Sequence, residues 1–535
     1  MKRRDFLKST AVAGVTGVGA AACSSVKTSS NTGPGFNVHP FLREHPEAVF
    51  IAQTSVGDKV DADNIRNAGL KLSKELIVKT SSGGYANSTR ITVKPNWTSA
   101  GPKNGKPVIE KLGVNTDPNF VEGWVQSMKK VGPQDYFIRE SCCPQNWEPM
   151  GWAAMCERNG IDLRDLSSMD YWELQDGALN FVKTPKGIIT KEIGFMAPMH
   201  EPDTFLVNIA KMKAHGMGIT AAVKNIQGTC ARRFHNICTI YNKIRPRFGK
   251  PYDKFFKRGF EKRIEKLHAQ HKANGIPRWD KPENGGGIYM ETWVQRILDT
   301  IDVTPIGLNI VEGIYSQDGN GFGTGHHEKL GEHGVTSRDY MSNLVVFGMD
   351  ALRVDNVIHW LSGHEPGNFG LFHIAMERGM TDVLDPHDIP VYSWENGAAS
   401  LAKLDDFKRT PLATYYLQRD YDGQDEPRFH LCDEPFDYKA FKAGKTAAEC
   451  SKPSIRTLGY DADNKMVMEL SLPKRDNVYV DVVNSQGEKV WQLIADDLDP
   501  GVHQVVWDNF NAPGLYSFYS KGMGWDDKLE VPIYT

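Results

Sequence analysis

The sequence predicts an α/β protein, a mostly parallel sheet with helices on both faces, followed by a small C-terminal all-β sandwich. Two patterns carry the reading. Between about residues 90 and 395, short β-rich runs alternate with segments whose apolar residues recur at helical spacing, the mark of repeated β-α-β units. From Lys465 onward helical periodicity stops, and short strand-like runs follow one another at intervals of roughly 8–12 residues, as in a sandwich.

Residues 90–94 form a first strand. Asp117-Pro118 then opens a helix with Phe120, Val121, Trp124, Val125 and Met128 at helical spacing. Residues 136–139 are a second strand, 152–158 a second helix ended by Asn159-Gly160, and 161–163 a third strand. Apolar runs at 203–209, 306–311, 344–347 and 389–392 read as further strands. A helix over 350–361 buries Leu352, Val354, Val357, Ile358 and Leu361, and Asp350 caps its start. In such sheets ligands sit beyond the C-terminal ends of the strands. The sandwich strands are expected at 466–472, 478–483, 489–494, 502–507 and 514–519.

The first residues read as an address. Lys2-Arg3-Arg4-Asp5-Phe6-Leu7-Lys8 is close to the twin-arginine export motif, and a short Gly/Ala-rich run follows it. Ala20-Ala21-Ala22 then precede Cys23, an arrangement that resembles a lipoprotein signal. Either Cys23 carries a lipid anchor to the membrane or the mature protein is soluble. The expected order is a signal over 1–22, a linker over 23–45 and an α/β domain over 46–400 with an insertion at about 232–290. An acidic connecting segment over 401–460 and the sandwich over 461–535 complete it.

Bulk numbers exclude several classes. With 40% hydrophobic and 24% charged residues the 535-residue chain is neither fibrous nor largely disordered. Its formal charge of −3 does not suit a nucleic-acid binder. Eight cysteines are too few for a disulfide scaffold. Export permits disulfides, expected for Cys230 with Cys238 and for Cys432 with Cys450. Residues 232–272 depart from the average: 13 Lys/Arg against 3 Asp/Glu give a local charge of +10. Phe256, Phe260, Ile264 and Leu267 form a helical stripe within them. The basic face is either an electropositive rim for an anion or headgroups, or a solvated face balanced by the acidic stretch 405–437.

Serine-hydrolase, zincin and phosphate-loop signatures are absent. Polar residues gather instead at strand ends. Lys94-Pro-Asn96 follows the first strand and Glu140 the second. After the strand at 203–209 come Lys211, Lys213, His215, Thr220, Lys224 and Asn225, with glycines at 216, 218 and 228. Clustered lysines favour a carboxylate, phosphate or sulfate, and His215 is the general acid/base candidate. Glu312 ends a further strand, and Asp355 lies within the helix that Asp350 caps. The glycine-rich loop from Gln317 carries Asp318, His326, His327, Glu328 and His333. A flexible substrate loop and a metal site are the two readings there, and the spacing matches no standard metal site.

Lys94-Pro-Asn96, Lys213-Ala-His215 with Lys224-Asn225 and Gly228, Asn309-Ile-Val-Glu-Gly-Ile314, and Asp350-Ala-Leu-Arg-Val-Asp355 together resemble the domain-of-unknown-function 362 family over about residues 90–395. Glu312 stands where an Asp is usual in that family. The resemblance implies the fold and the site positions, not a reaction. The C-terminal runs around Gly501 and Ala512-Pro-Gly514 are similar to flagellar hook-capping sandwiches and to type IX sorting domains. That likeness implies an attachment module with a protein partner.

The leading expectation is an exported enzyme acting on an anionic small molecule or sugar acid, of isomerase or lyase type. Lys213 and Lys224 hold the anion, His215 moves a proton, and Lys94, Asn96, Glu140, Thr220 and Asn225 complete the site. Glu312 and Asp355 orient lysines or bind a metal. The alternatives are a periplasmic or surface binding protein, and a metal or iron–sulfur redox protein using Cys142, Cys143, Cys230 or Cys238.

Overall fold

The structure, a computed structural model, describes residues 32–98, 109–141, 147–164, 177–215, 218–231, 254–277, 286–319, 338–412, 414–415, 429–430, 435–442, 453–460, 465–473, 475–498, 501–507, 514–522 and 525–533. The expected signal and Cys23 lie outside them. The chain divides into two compact units, Met1–Phe436 and Asp437–Thr535.

The first unit opens with β1 (Gly35–Val38), α1 (Pro40–Glu44), β2 (Val49–Gln53) and α2 (Ala62–Leu76). β3 (Ile77–Thr80) and β4 (Tyr85–Ala86) both pair antiparallel with β1. Phe36 of β1 is fully buried, stacked on Tyr85 at 5.3 Å and edge-on to Phe205. The stretch expected as a linker over 23–45 is therefore part of the fold from Gly35 onward.

β5 (Arg90–Pro95), α3 (Pro118–Val131), β6 (Tyr136–Arg139), α4 (Trp152–Arg158) and β7 (Ile161–Arg164) follow in strict alternation. Asp117 caps α3, its carboxylate accepting from Asn119 N at 2.7 Å, and all five residues of the expected stripe are buried. β8 (Leu179–Lys183) and β9 (Glu192–Met196) form a side hairpin. β10 (Thr204–His215), β11 (Gly218–Thr220), α5 (Ala222–Asn225), α6 (Phe260–Ala273) and α7 (Gly286–Ile301) come next. β12 (Ile306–Gln317), β13 (Asp339–Gly348), α8 (Ala351–Leu361), α9 (Gly370–Glu377), β14 (Val391–Glu395) and β15 (Ala398–Ala402) complete the domain. The short pair β16 (Thr414–Tyr415) and β17 (Phe429–His430) follows.

Among the described residues ten strands make one sheet in the order β15-β14-β2-β13-β12-β10-β5-β6-β7, with β11 beside β10. The run β12-β10-β5-β6-β7 is parallel throughout. β13 is inserted antiparallel between β12 and β2. One face carries α2, α3 and α4 over Ile91, Val93, Val207, Ile209, Leu308 and Ile310. The other carries α7 and α8 over Ala210, Met212, Val311 and Val346. The α/β unit also runs past residue 400, because Leu404, Phe407 and Leu412 are buried in the second core. The first part of the expected acidic connector is thus folded against the sheet.

Two charged clamps tie the helices together. Glu122 of α3 accepts from Arg158 Nε and Nη2, both at 2.6 Å, from Arg66 Nε at 3.0 Å and from Asn159 Nδ2 at 2.9 Å. Burial opposes its ionisation, yet these donors hold its pKa at about 2. In the second clamp His271 of α6 meets Glu291 of α7 at 2.6 Å and Glu377 of α9 at 2.7 Å. Burial works against the charged ring, and the two carboxylates outweigh it, raising the pKa to about 9. α6 buries Phe260 and Ile264 and exposes Lys262, Arg263 and Lys266, the amphipathic division expected.

The second unit contains β18 (Ser454–Tyr460), β19 (Met466–Leu472), β20 (Asp476–Val483), β21 (Lys489–Leu498), β22 (Gly501–Trp507), β23 (Gly514–Gly522) and β24 (Trp525–Ile533). They form two antiparallel sheets, β18-β19-β22 and β21-β20-β23-β24. Alternate residues Met466, Met468 and Leu470 from one sheet meet Val478, Val480, Val482 and Phe518 from the other in a shared core, as a sandwich requires. The sandwich begins at Ser454 and not at 461. Ile455 is the buried residue that β18 contributes to that core, too little alternation to mark a strand.

Replacing Glu122 by Ala leaves two arginines facing an empty position, and should lower stability by about 3 kcal/mol at pH 7. A carboxylate with a depressed pKa contributes above its ordinary range and loses that contribution as pH falls through the folded value. Urea unfolding curves of wild type and Glu122→Ala should therefore converge as pH drops toward about 2.

Candidate functional site

The site follows from topology. β5 and β10 are parallel neighbours, but the chain leaves β5 for α3 on one face and leaves β10 for α5 and α7 on the other. Where adjacent connections diverge, the strand ends leave a crevice in which open α/β sheets bind ligands. Both polar strand ends singled out in the sequence, Lys94-Pro-Asn96 and Lys211 to His215, belong to these two strands.

Strand alternation sorts β10. Ala210, Met212 and Ala214 pack in the α7–α8 core, so Lys211, Lys213 and His215 share the opposite face. All three are buried. Lys94, Asn208 and Asn309 lie in register across β5, β10 and β12. The Asn208 amide joins the Asn309 side chain at 2.9 Å and the Ala222 carbonyl at 3.0 Å.

A first cluster surrounds Lys94. Its Nζ donates to Glu140 Oε2 and to Pro95 O, both at 2.5 Å, and to Asn225 Oδ1 at 3.0 Å. Glu140 also accepts from the backbone N–H groups of Ser141 at 2.8 Å and Trp97 at 3.2 Å. Burial raises the proton affinity of Glu140, against the pull of Lys94 and these donors. Asn225 Nδ2 donates to Lys94 O and Asn208 Oδ1, and Asn96 Nδ2 donates to Asn225 Oδ1. Gly228 lies flush on the ion pair. A methyl group there would overlap the Glu140 carboxylate and stand 2.7 Å from Lys94 Nζ.

A second cluster occupies the other face. Lys211 Nζ donates to Glu312 Oε2 at 2.6 Å and sits 3.5 Å from the centroid of the Tyr315 ring. The Tyr315 hydroxyl donates to Asp117 Oδ2 at 2.6 Å, and Asp117 N donates to Glu312 Oε2 at 3.3 Å. Glu312 thus pairs with a lysine, Lys211. Lys213 Nζ donates to Val114 O at 2.5 Å, and Thr220 lies opposite Lys213 in the β10–β11 hairpin.

His215 ends β10. Burial, then Lys224 and Lys213, pull its pKa well below 6.5. The ring is neutral at physiological pH, in contrast to His271. Lys224 itself is half-exposed on α5.

Asp355 does something other than orienting lysines directly. It accepts from Val223 N with both oxygens at 3.2 Å and so caps α5, the turn that carries Lys224 and Asn225. Burial pushes its proton affinity well up. Asp350 caps α8, as expected, through Leu352 N and Arg353 N. Asp318 accepts from Arg338 N and the Tyr340 hydroxyl, and burial lifts its pKa to about 6. His326, His327, Glu328 and His333 lie outside the described residues. Among the described residues no three His, Cys, Asp or Glu side chains are grouped to hold a metal.

Cys230 corrects the expected Cys230–Cys238 disulfide. Its thiol is free and buried among Ile193, Phe195 and Leu206, where an apolar shell raises its pKa to about 11. Cys156 is likewise a free core thiol. Cys142, Cys143, Cys238, Cys432 and Cys450 lie outside the described residues.

Residues 91–358 match the model of the family described as Domain of unknown function (DUF362). The chain belongs to the DUF362 family. No curated protein sequence matches it. The DUF362 stretch contains both charged clusters, His215 and the Asp355 cap, whereas β14, β15 and the sandwich lie beyond it. Within the DUF362 stretch the sequence does not show the Tyr315–Asp117 and Asn208–Asn309 bonds, although Asp117 and Asn309 are each visible in it. Lys211 had a readable signal, since it alternates with Lys213 and His215 along one strand.

Two outcomes check the site geometry. Gly228→Ala forces Lys94 and Glu140 apart and should destabilise the protein by about 1–3 kcal/mol in thermal or urea unfolding. In an NMR pH titration, the His215 imidazole should protonate well below the range of an ordinary histidine, while Lys224→Ala should move its titration upward.

Proposed function

We propose that this protein is an exported enzyme acting on an anionic small molecule or sugar acid by proton transfer, in an isomerase- or lyase-type reaction. The observation that carries the reading is a neutral histidine at the C-terminal end of a central parallel strand, its proton affinity held down by burial first and then by Lys224 and Lys213. Two ammonium groups favour a substrate carboxylate and stabilise an enolate-like charge beside it. An anion seated there offsets the lysine repulsion that adds to burial in keeping His215 neutral, so the ring gains basicity when substrate binds. His215 then takes or returns the proton. Lys94 and Glu140 are committed to each other, and their part is to hold Asn96 and Asn225. Lys211 and Glu312 hold Tyr315 and Asp117 on the other face.

Arg3-Arg4 with Phe6-Leu7-Lys8 supports export by the twin-arginine route to the periplasm or cell surface, and Cys23 supports a lipid anchor there. The C-terminal sandwich supports attachment to a protein partner.

Exchange in deuterium oxide tests the chemistry directly. Six-carbon sugar acids incubated with the protein should exchange the proton next to the carboxylate, followed by NMR. His215→Ala and Lys224→Ala should each slow exchange by about 10²–10⁴-fold without loss of fold. Exchange at the wild-type rate in both variants would sink the proposal, and tight binding without exchange would support a ligand-binding protein instead.

A further inference from the structure

We infer that the ligand of this site presents a hydroxyl donor beside its anionic group, which makes it a hydroxy acid and not a sulfate or a fully ionised phosphate ester. The inference rests on the anionic-ligand reading above and narrows it.

Four buried polar atoms around the strand ends have no hydrogen-bond partner among the described residues: Asn96 Oδ1, Asn115 Nδ2, Ser141 Oγ and Thr220 Oγ1. Their residues are 5%, 3%, 2% and 0% exposed. Unsatisfied groups at this depth are costly and call for partners. Local pairing ties each of them to the strand ends, and Asn96 to Asn115 most closely. Asn96 N donates to Thr116 Oγ1 at 2.9 Å and Thr116 N to Asn96 O at 3.0 Å, while Thr98 N donates to Asn115 Oδ1 at 2.7 Å. Thr220 faces Lys213 across the hairpin, and Lys213 in turn donates to Val114 O, next to Asn115. Ser141 N is held by Glu140 Oε1, on the carboxylate that Lys94 grips.

The network fixes which way the amides point. Asn225 Nδ2 is engaged by the carbonyl oxygens of Lys94 and Asn208, and its Oδ1 receives Lys94 Nζ. Only the NH₂ group of Asn96 can face that oxygen, so its own Oδ1 is left as an acceptor. In the same way the Thr98 N–H pins Asn115 Oδ1 and leaves its NH₂ as a donor. The site therefore offers lysine cations and an amide donor together with an amide acceptor. Sulfate and a phosphate dianion satisfy the donors but have no proton for Asn96. A carboxylate bearing hydroxyls satisfies both.

Calorimetry on the full chain tests this with six-carbon aldonic acids taken one by one, hexanoate and sulfate. At least one aldonic acid should bind ten-fold or more tightly than both hexanoate and sulfate. Thr220→Val and Ser141→Ala remove hydroxyls that make no internal bond as acceptor or donor, so the melting temperature should hold or rise. The preferred aldonic acid should nonetheless bind about ten-fold more weakly to each variant. If sulfate or hexanoate binds as tightly as every aldonic acid, the hydroxyl inference fails and the anion reading stands. Should no anion bind, both fall. Unchanged aldonic-acid affinity in the two variants also overturns the inference.

Discussion

A lysine ammonium taken out of water loses several kcal/mol of hydration that only a close carboxylate and further hydrogen bonds can offset. This chain buries Lys94 and Lys211 completely, on adjacent parallel strands and on opposite faces of the sheet. Each finds its carboxylate on a neighbouring element: Glu140 just after β6 and Glu312 on β12. The C-terminal ends of four strands are consequently held together from both sides. α5 is brought in by Asn225, and the approach of Gly228 is possible only because it has no side chain. The remaining site residues, His215 and Lys213 above all, are carried on a strand whose position these two pairs define.

Charge is apportioned differently in two places that use the same residue type. His271 stands between two carboxylates and holds its proton to about 9, joining three helices far along the chain from the strand ends. His215, also buried, stands near two ammonium groups and sheds its proton. Burial penalises the charged ring in both cases; the carboxylates around His271 outweigh it, and the lysines near His215 add to it. A charged histidine suits a clamp. A neutral one, placed next to cations that an incoming anion can offset, suits a group that must accept a proton only when something is bound.

Much of this was legible in the sequence, for reasons that can be stated. The helical stripe from Phe120 to Met128, the capped helix at Asp350 and the strand ends bearing Lys94, Asn96, Lys213 and His215 declare themselves through local periodicity and position. Long-range pairing does not. Nothing local shows that Lys94 meets Glu140, 46 residues on, or that Lys211 meets Glu312, 101 residues on. Asp117 reads as a helix cap and is one, which hides its second bond to Tyr315. Asp355 looks unexplained within its own helix because the turn it caps is 132 residues away. The antiparallel entry of β13 and the early start at β1 escaped for a related reason: direction and pairing reside in partners, not in the strand itself.

β10 also carries its own register. Along its final six residues, aliphatic and ionisable side chains alternate without interruption, from Ala210 and Lys211 to Ala214 and His215. Slipping the strand by one position would drive two lysines and an imidazole into the aliphatic core and turn Ala210, Met212 and Ala214 onto the buried polar face. The penalty for that error is several buried, unmatched charges. The same side chains that make this strand end chemically interesting therefore also act as its alignment key, so that a correctly threaded sheet and an assembled site are one event.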